Sequence, residues 1–226
     1  MHITSRPYHK STELQGAALM KHRSQLQTNR DMCSSASIEE FRRFLSAEEA
    51  VQICNQFHTS QWQQGCQIMW SGVPRDVVQH WADRNGMQTL TTAMGPLMDN
   101  TQPQCRRPQR PNKQWSRYMK GACAMFAYHI AQDGGVVTVL SPPPPHIYNP
   151  YGGSNYQTVE EPVLKGKMGP KVARIDVVHP TVVGADEFRY QLWPHDQTRI
   201  WEERFGHPAV DLHWRHVTPR QYLTLA

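Results

Sequence analysis

The sequence predicts an α/β protein: a helical N-terminal lobe, then an α/β C-terminal lobe built on a mostly parallel central sheet. Three observations predict it. Two capping boxes, Ser37-Ile38-Glu39-Glu40 and Ser46-Ala47-Glu48-Glu49, each open an apolar helical stripe in the first third of the chain. Further on, Trp115, Met119, Cys123 and Phe126 recur at helical spacing until Asp133-Gly134-Gly135 stops the run. Val136-Val137-Thr138-Val139-Leu140 follows at once, and a helix leading straight into a strongly apolar strand marks a sheet that is at least partly parallel.

In order along the chain, residues 1–36 are polar with few large apolar groups, which predicts a loosely held arm before a single two-lobed domain over 37–226. The helical lobe spans 37–132 and the α/β lobe 133–226. The first capping box sends Phe41, Phe44 and Leu45 inward, and the second sends Val51, Cys54 and Phe57. Cys66-Gln67-Ile68-Met69-Trp70-Ser71-Gly72 is a short apolar run ended by glycine, read as a buried strand or an extended entry segment. Pro74 and Gly86 bracket a helix over 75–85 carrying Val77, Val78 and Trp81. Residues 100–113, rich in Pro, Arg, Gln and Asn, form a surface loop. Strands are expected again over Val172–Val178 and Tyr190–Trp193; from Trp201 onward no period is clean enough to assign.

With 226 residues the chain can bury a substantial core. The net charge of +5 suits a polyanionic partner, but the basic residues are scattered. Their densest group is Arg106-Arg107-Pro108-Gln109-Arg110. The five cysteines, Cys33, Cys54, Cys66, Cys105 and Cys123, are odd in number and widely spaced, which predicts reduced thiols in a cytosol-like compartment. None pairs with a His at zinc spacing, and His146, His179 and His195 read as surface or capping groups, so no metal is expected. Met1-His2-Ile3-Thr4-Ser5-Arg6 lacks the apolar centre of a signal peptide, and no run is long enough to span a bilayer. A cytoplasmic protein is expected, or one delivered into a target cell by another route.

The richest chemistry lies in Ser154–Leu164, an acidic pair set between a Pro/Gly-rich run and an apolar segment. This predicts a loop that pairs into a sheet around Val159–Leu164, with Glu160 at the junction. A carboxylate there can be half buried and still face a cleft. The same residues also fit a solvated edge-strand acid beside a proline.

Three separated pieces resemble the ADP-ribosyl cyclase / NAD glycohydrolase family. Met69-Trp70-Ser71-Gly72, a helix and Met87-Gln88-Thr89-Leu90 are similar to its Trp-Ser, helix, Thr-Leu-Glu-Asp-Thr pattern. Cys123-Ala124-Met125-Phe126-Ala127 before the 136–140 strand is similar to its Ser-x-x-Phe-Ala helix. Asn155-Tyr156-Gln157-Thr158-Val159-Glu160 is similar to its stretch ending in Ser-Val-Glu, whose glutamate is catalytic. The pieces occur in the family's order over roughly residues 60–165.

The resemblance implies an ADP-ribosyl cyclase-like fold and cleavage of the nicotinamide–ribose bond of NAD. NAD is then substrate and no other cofactor is required. Departure of nicotinamide leaves an oxocarbenium-like ribosyl cation, which a carboxylate stabilises more than it does the substrate. Glu160 takes that role by resemblance, and Trp70 takes that of the flat wall for nicotinamide, although a Trp in an apolar run equally suits plain core. Ser71, Asn155 and Thr158 would hold ribose or pyrophosphate oxygens, with Tyr156 beside them. The family's second tryptophan falls at Met119, with Trp115 one turn earlier, so either lines the site. Cys123 stands where the family has serine. Thr91 replaces an active-site acid and carries no charge, which leaves hydrolysis against cyclisation open, and Asp99 matches a later acid with a gap of one. Ala131 stands at a bridging cysteine of the family, which implies a disulfide-free form.

An NAD-consuming activity is harmful if uncontrolled, so a toxin, effector or defence role with a neutralising partner protein is expected. The rivals are an ADP-ribosyltransferase, a catalytically dead nucleotide binder, and a basic nucleic-acid-binding module using Arg106, Arg107, Arg110 and Trp115.

Overall fold

The structure, a computed structural model, describes residues 41–149 and 153–206. The expected arm and the helix start at Ser37 lie outside the described residues. So does the C-terminal stretch after Gly206.

The first described helix, α1 (Ala47–Thr59), begins where its capping box says it should. Ser46 N–H donates to Glu49 Oε2 at 2.6 Å and Glu49 N–H donates to Ser46 Oγ at 3.2 Å. It buries Ala50, Ile53, Cys54 and Phe57, whereas Val51, expected inside, is 41% exposed. At ~100° per residue, Val51 falls roughly 110° round the helix from the centre of that face. Strand β1 (Ile68–Trp70) follows, then α2 (Arg75–Arg84) after Pro74. Val78, Trp81 and Ala82 of α2 pack with Ile68, Val73, Leu140 and Val178, so α2 covers one face of the sheet. Val77 packs against the margin of this cluster. The chain then turns back: Ile68 N–H donates to Gln88 O at 3.0 Å and Gln88 N–H to Cys66 O at 2.6 Å. This lays Gln88 alongside Gln67 before α3 (Leu90–Met94) and a 3-10 turn (Gly95–Leu97).

Helix α4 (Asn112–Asp133) is the longest, and every residue from Gly121 to Ala131 is buried. A helix apolar on all sides belongs in the middle of a fold. It starts three residues before Trp115 because Pro111 pre-sets the first turn, and it stops at Gly134, whose φ of +68° is left-handed. Strand β2 (Val136–Leu140) comes next, then β3 (Arg174–Val178), β4 (Arg189–Trp193) and α5 (Thr198–Phe205). The sheet order is β1-β2-β3-β4, with β1/β2 and β2/β3 parallel and β3/β4 antiparallel. A mixed, mostly parallel sheet with helices around it is the predicted α/β class. Its first strand comes from the N-terminal part of the chain. Neighbouring side chains on a strand face opposite ways, so Val177 packs on the face away from α2, with Ala185, Tyr190 and Trp201. Helix α5, carrying Trp201 into that cluster, is the element the sequence left unassigned.

Two expectations are corrected. No strand forms over Val159–Leu164; Tyr156–Glu160 is a π-helical turn that runs into helix over Glu161–Leu164. Ser154 starts it, its Oγ accepting from Gln157 N–H at 3.2 Å, while Thr158 Oγ1 donates to Ser154 O at 2.7 Å. Pro162 sits in the first turn of the α-helical part, where its missing N–H costs nothing. The thiols are not all reduced either. Cys54 is disulfide-bonded, and Cys66, Cys105 and Cys123 are free.

Candidate functional site

The ends of the parallel strands decide where chemistry gathers. Strands β1, β2 and β3 all run the same way, so Trp70, Leu140 and Val178 share one edge and the residues after them, Ser71, Ser141 and His179, form its rim. Ser71 N–H donates to Leu140 O at 3.0 Å and Ser141 N–H to Val178 O at 3.0 Å, extending the ladder past the strand ends. Gly72 then turns with φ +71°, and a Cβ there would meet Tyr148 O at 2.8 Å. Only glycine lets the 141–149 loop come this close. That loop is held in turn by Tyr148 N–H donating to Ser141 Oγ at 2.7 Å.

The helical segment bearing Glu160 docks on this rim. Ser71 Oγ and Ser154 Oγ are 2.9 Å apart, which ties the turn after β1 to the first residue of the segment. Tyr156, fully buried, lies 4.8 Å from Tyr148 between ring centroids, with the two hydroxyls 3.4 Å apart. Glu160 itself is 6% exposed. The Cys123 thiol of α4 is hydrogen-bonded to its carboxylate, and Asn155 Nδ2–H donates to Cys123 Sγ at 3.6 Å. Burial pushes the Glu160 carboxyl up to about 7, against a smaller opposite pull from the Cys123 thiol. The same burial, added to the neighbouring carboxylate, drives the Cys123 thiol well above its ordinary range, so it stays protonated and donates. No ion pair among the described residues involves Glu160. A carboxylate this dry without a counter-cation is costly to keep, and a cationic ligand would relieve it.

The structure thus brings together Glu160, Cys123 and Asn155, and separately Ser71 with the start of the same segment. Trp70 ends β1 on the same edge and is 36% exposed, so it is not sealed in the core. Met119, half-buried and one turn before Cys123 on the same face of α4, is placed to reach toward this region. Trp115 is two turns from Cys123, roughly 12 Å along the axis. It stacks on Tyr118 at 5.2 Å under the Arg107 guanidinium, so it serves the packing of that end of α4. Thr158 is exposed with its hydroxyl committed to the helix backbone. Thr91 is half-buried on the first turn of α3, where Thr89 and Thr92 form a capping box with threonine in place of the usual Glu. Asp99 is exposed and caps its own loop, accepting from Thr101 N–H at 2.9 Å and Thr101 Oγ1 at 2.7 Å; these bonds lower its pKa. No described contact joins Thr158, Thr91 or Asp99 to Glu160.

Sequence reasoning missed Tyr148, Ser141 and the role of His179. His179 is not a surface group: it is fully buried, its Nδ1–H donating to Ser141 O at 2.9 Å and its Nε2 accepting from Tyr190 hydroxyl at 2.9 Å. Burial holds it neutral, down to about 4. The Ser141–Pro145 run before it was legible as a turn, but which histidine it would bury was not. Glu161, the other acid of the pair, forms an ion pair with Lys165 at 2.6 Å. A cavity of about 420 Å³ lies elsewhere, lined by Phe44, Leu45, Glu49, Arg110, Arg117 and Tyr118, and none of the residues expected to hold NAD lines it. Among the described residues no helix is long and apolar enough to cross a membrane.

Comparison with family models, with curated proteins and with solved structures returns no match for this chain.

Proposed function

We propose that the chain cleaves the nicotinamide–ribose bond of NAD, with Glu160 as the carboxylate facing the ribosyl cation. The observation that carries this reading is a buried, unpaired carboxylate poised near neutrality beside the rim of a parallel sheet. Oxidised nicotinamide is cationic, and as it leaves as the neutral base its single positive charge passes to the ribose, so the substrate supplies the charge that the site lacks. Binding would pull the Glu160 proton off and leave the carboxylate ionised when the bond stretches. Trp70, partly exposed on the same edge, offers a ring for nicotinamide to stack on, and Met119 is the closer of the two α4 candidates. Ser71 and Asn155 are the polar groups placed to hold ribose or phosphate oxygens. Water then yields ADP-ribose, or adenine yields cyclic ADP-ribose. The ordered sequence likeness to the ADP-ribosyl cyclase / NAD glycohydrolase family supports the same assignment. A neutralising partner and a toxin, effector or defence role follow from the harm of uncontrolled NAD loss.

The nucleic-acid reading has less support. Arg110 forms an ion pair with Glu49, Arg106 lies 3.9 Å from the same carboxylate, and Arg107 donates to Asn112 Oδ1 at 2.9 Å. The densest basic group is therefore largely engaged within the fold.

The test is to incubate the full chain with NAD and follow nicotinamide, ADP-ribose and cyclic ADP-ribose by chromatography. Release by the parent and a loss of about 100–1,000-fold in Glu160→Gln is the expected result. Equal release by both, or none by the parent, overturns the proposal. Label from NAD appearing on protein would move the reading to an ADP-ribosyltransferase.

A further inference from the structure

Away from Glu160, α1 and α4 face each other through an unusual group. Cys54 and His58 stand four residues apart on one side of α1, and His129 of α4 faces them. One ligand atom from each lies within 4.8 Å of the others, and Cys54 Sγ is 3.9 Å from His129 Nε2. The histidine tautomer is set by its other nitrogen. His129 Nδ1–H donates to Met125 O at 2.9 Å, which leaves the Nε2 lone pair turned toward Cys54. His58 Nε2 is buried and has no hydrogen-bond partner among the described residues. A buried nitrogen without a partner calls for a ligand.

We infer that reduction of the disulfide at Cys54 opens a soft-metal site, of the zinc class, formed by Cys54 Sγ, His58 Nε2 and His129 Nε2. Tetrahedral zinc with Zn–S of about 2.3 Å and Zn–N of about 2.0 Å needs sulfur and nitrogen some 3.6 Å apart. The Cys54–His129 separation is within a few tenths of an ångström of that, and small side-chain rotations bring in His58. The surroundings suit it: Phe57 and Trp62 rings lie 5.1 and 5.8 Å from the His129 ring. While the disulfide persists, the sulfur is neutral and a poor ligand. Reduction by a phosphine and water breaks the S–S bond. The phosphine takes the water oxygen to become its oxide, and the two protons go to the two thiols. On binding, the Cys54 thiol loses its proton to solvent, and the fourth position is left to water. The site would couple metal loading to the redox state of the chain, independently of NAD cleavage.

The experiment titrates the full chain with cobalt(II), before and after treatment with a trialkylphosphine, under exclusion of oxygen. A thiolate-to-cobalt charge-transfer band with tetrahedral visible bands, saturating at a single ion per chain and only after reduction, is the expected result. Cys54→Ser should abolish the charge-transfer band, and His58→Ala should weaken cobalt binding at least about tenfold. Circular dichroism follows the fold throughout. A reduced chain that stays folded, or refolds only with cobalt, fits the proposal. A reduced chain without the band, a band of equal strength before reduction, or a His58→Ala chain that binds as the parent does would overturn it. The last outcome would assign the cobalt to Cys66, Cys105 or Cys123 instead.

Discussion

The Cys123 thiol, on the central helix, is hydrogen-bonded to the carboxylate of Glu160, on a helical segment docked at the strand ends. The thiol is protonated because burial and the neighbouring carboxylate both disfavour its anion, so it holds Glu160 as a donor. That contact bears on both the stability of the chain and its pH dependence.

The first consequence is for stability. The Glu160 carboxyl is raised from 4.5 to about 7 in the folded chain, so the native state binds this proton more tightly than the unfolded state. Its contribution is therefore fully present below about pH 4.5 and is lost as the pH rises through 7. The loss is on the order of 3 kcal/mol by pH 8. Glu160→Gln removes that fall: urea unfolding should show it more stable than the parent at pH 8 and similar at pH 4. A variant less stable than the parent at pH 8 would show that the carboxylate is not desolvated.

The second is for catalysis. If the ionised carboxylate faces the ribosyl cation, kcat/KM for nicotinamide release falls about tenfold per pH unit below roughly pH 7. Cys123→Ala removes the donor that holds the Glu160 pKa down, so the limb should move to higher pH. Cys123→Ser keeps a donor and should restore it. An unmoved limb in Cys123→Ala would break the link between the two residues.

The rim of the sheet depends on Gly72. A side chain there adopts a left-handed φ and collides with the backbone oxygen of Tyr148. Gly72→Ala should cost on the order of 2 kcal/mol or more in urea unfolding and, under the proposed function, should lower nicotinamide release by displacing Ser71 from Ser154. A change below a few tenths of a kcal/mol would show that the loop yields freely.

The central helix makes a sign-changing prediction. A Cβ on Gly121 would come within 2.7 Å of Leu45 Cδ2, with its Cγ closer still. Gly121→Ala should cost about 1–3 kcal/mol of overpacking, less the ~1 kcal/mol that alanine gains in a helix. In a Leu45→Ala background the clash is gone, and the same substitution should stabilise the chain. Denaturation midpoints of the four proteins decide it.

Much of the fold was legible because its signals are local. The Ser46–Glu49 box, Pro74, Gly134 and the apolar run 136–140 each act on neighbouring residues, and each lies where expected. The Glu160 segment was misread because Val159, Val163 and Leu164 are apolar enough for a strand. What decides against it is Ser154, which caps a helix and is itself held by Ser71 from eighty-three residues earlier in the chain. The type of Glu160 was readable as an acid; its burial was not. Trp115 and Asp99 carried plausible chemistry in sequence, but packing on Tyr118 and an intra-loop cap take them up.

By itself, then, the sequence determined the α/β class, the capped helices, the buried central strand and the acid at residue 160, since propensity and periodicity act over a turn or two. Tertiary structure alone decided that Cys123 meets Glu160, that His179 is buried, and that Cys54, His58 and His129 converge. Those contacts join residues tens of positions apart. Desolvation, which sets their protonation and reactivity, exists only once the chain has closed around them.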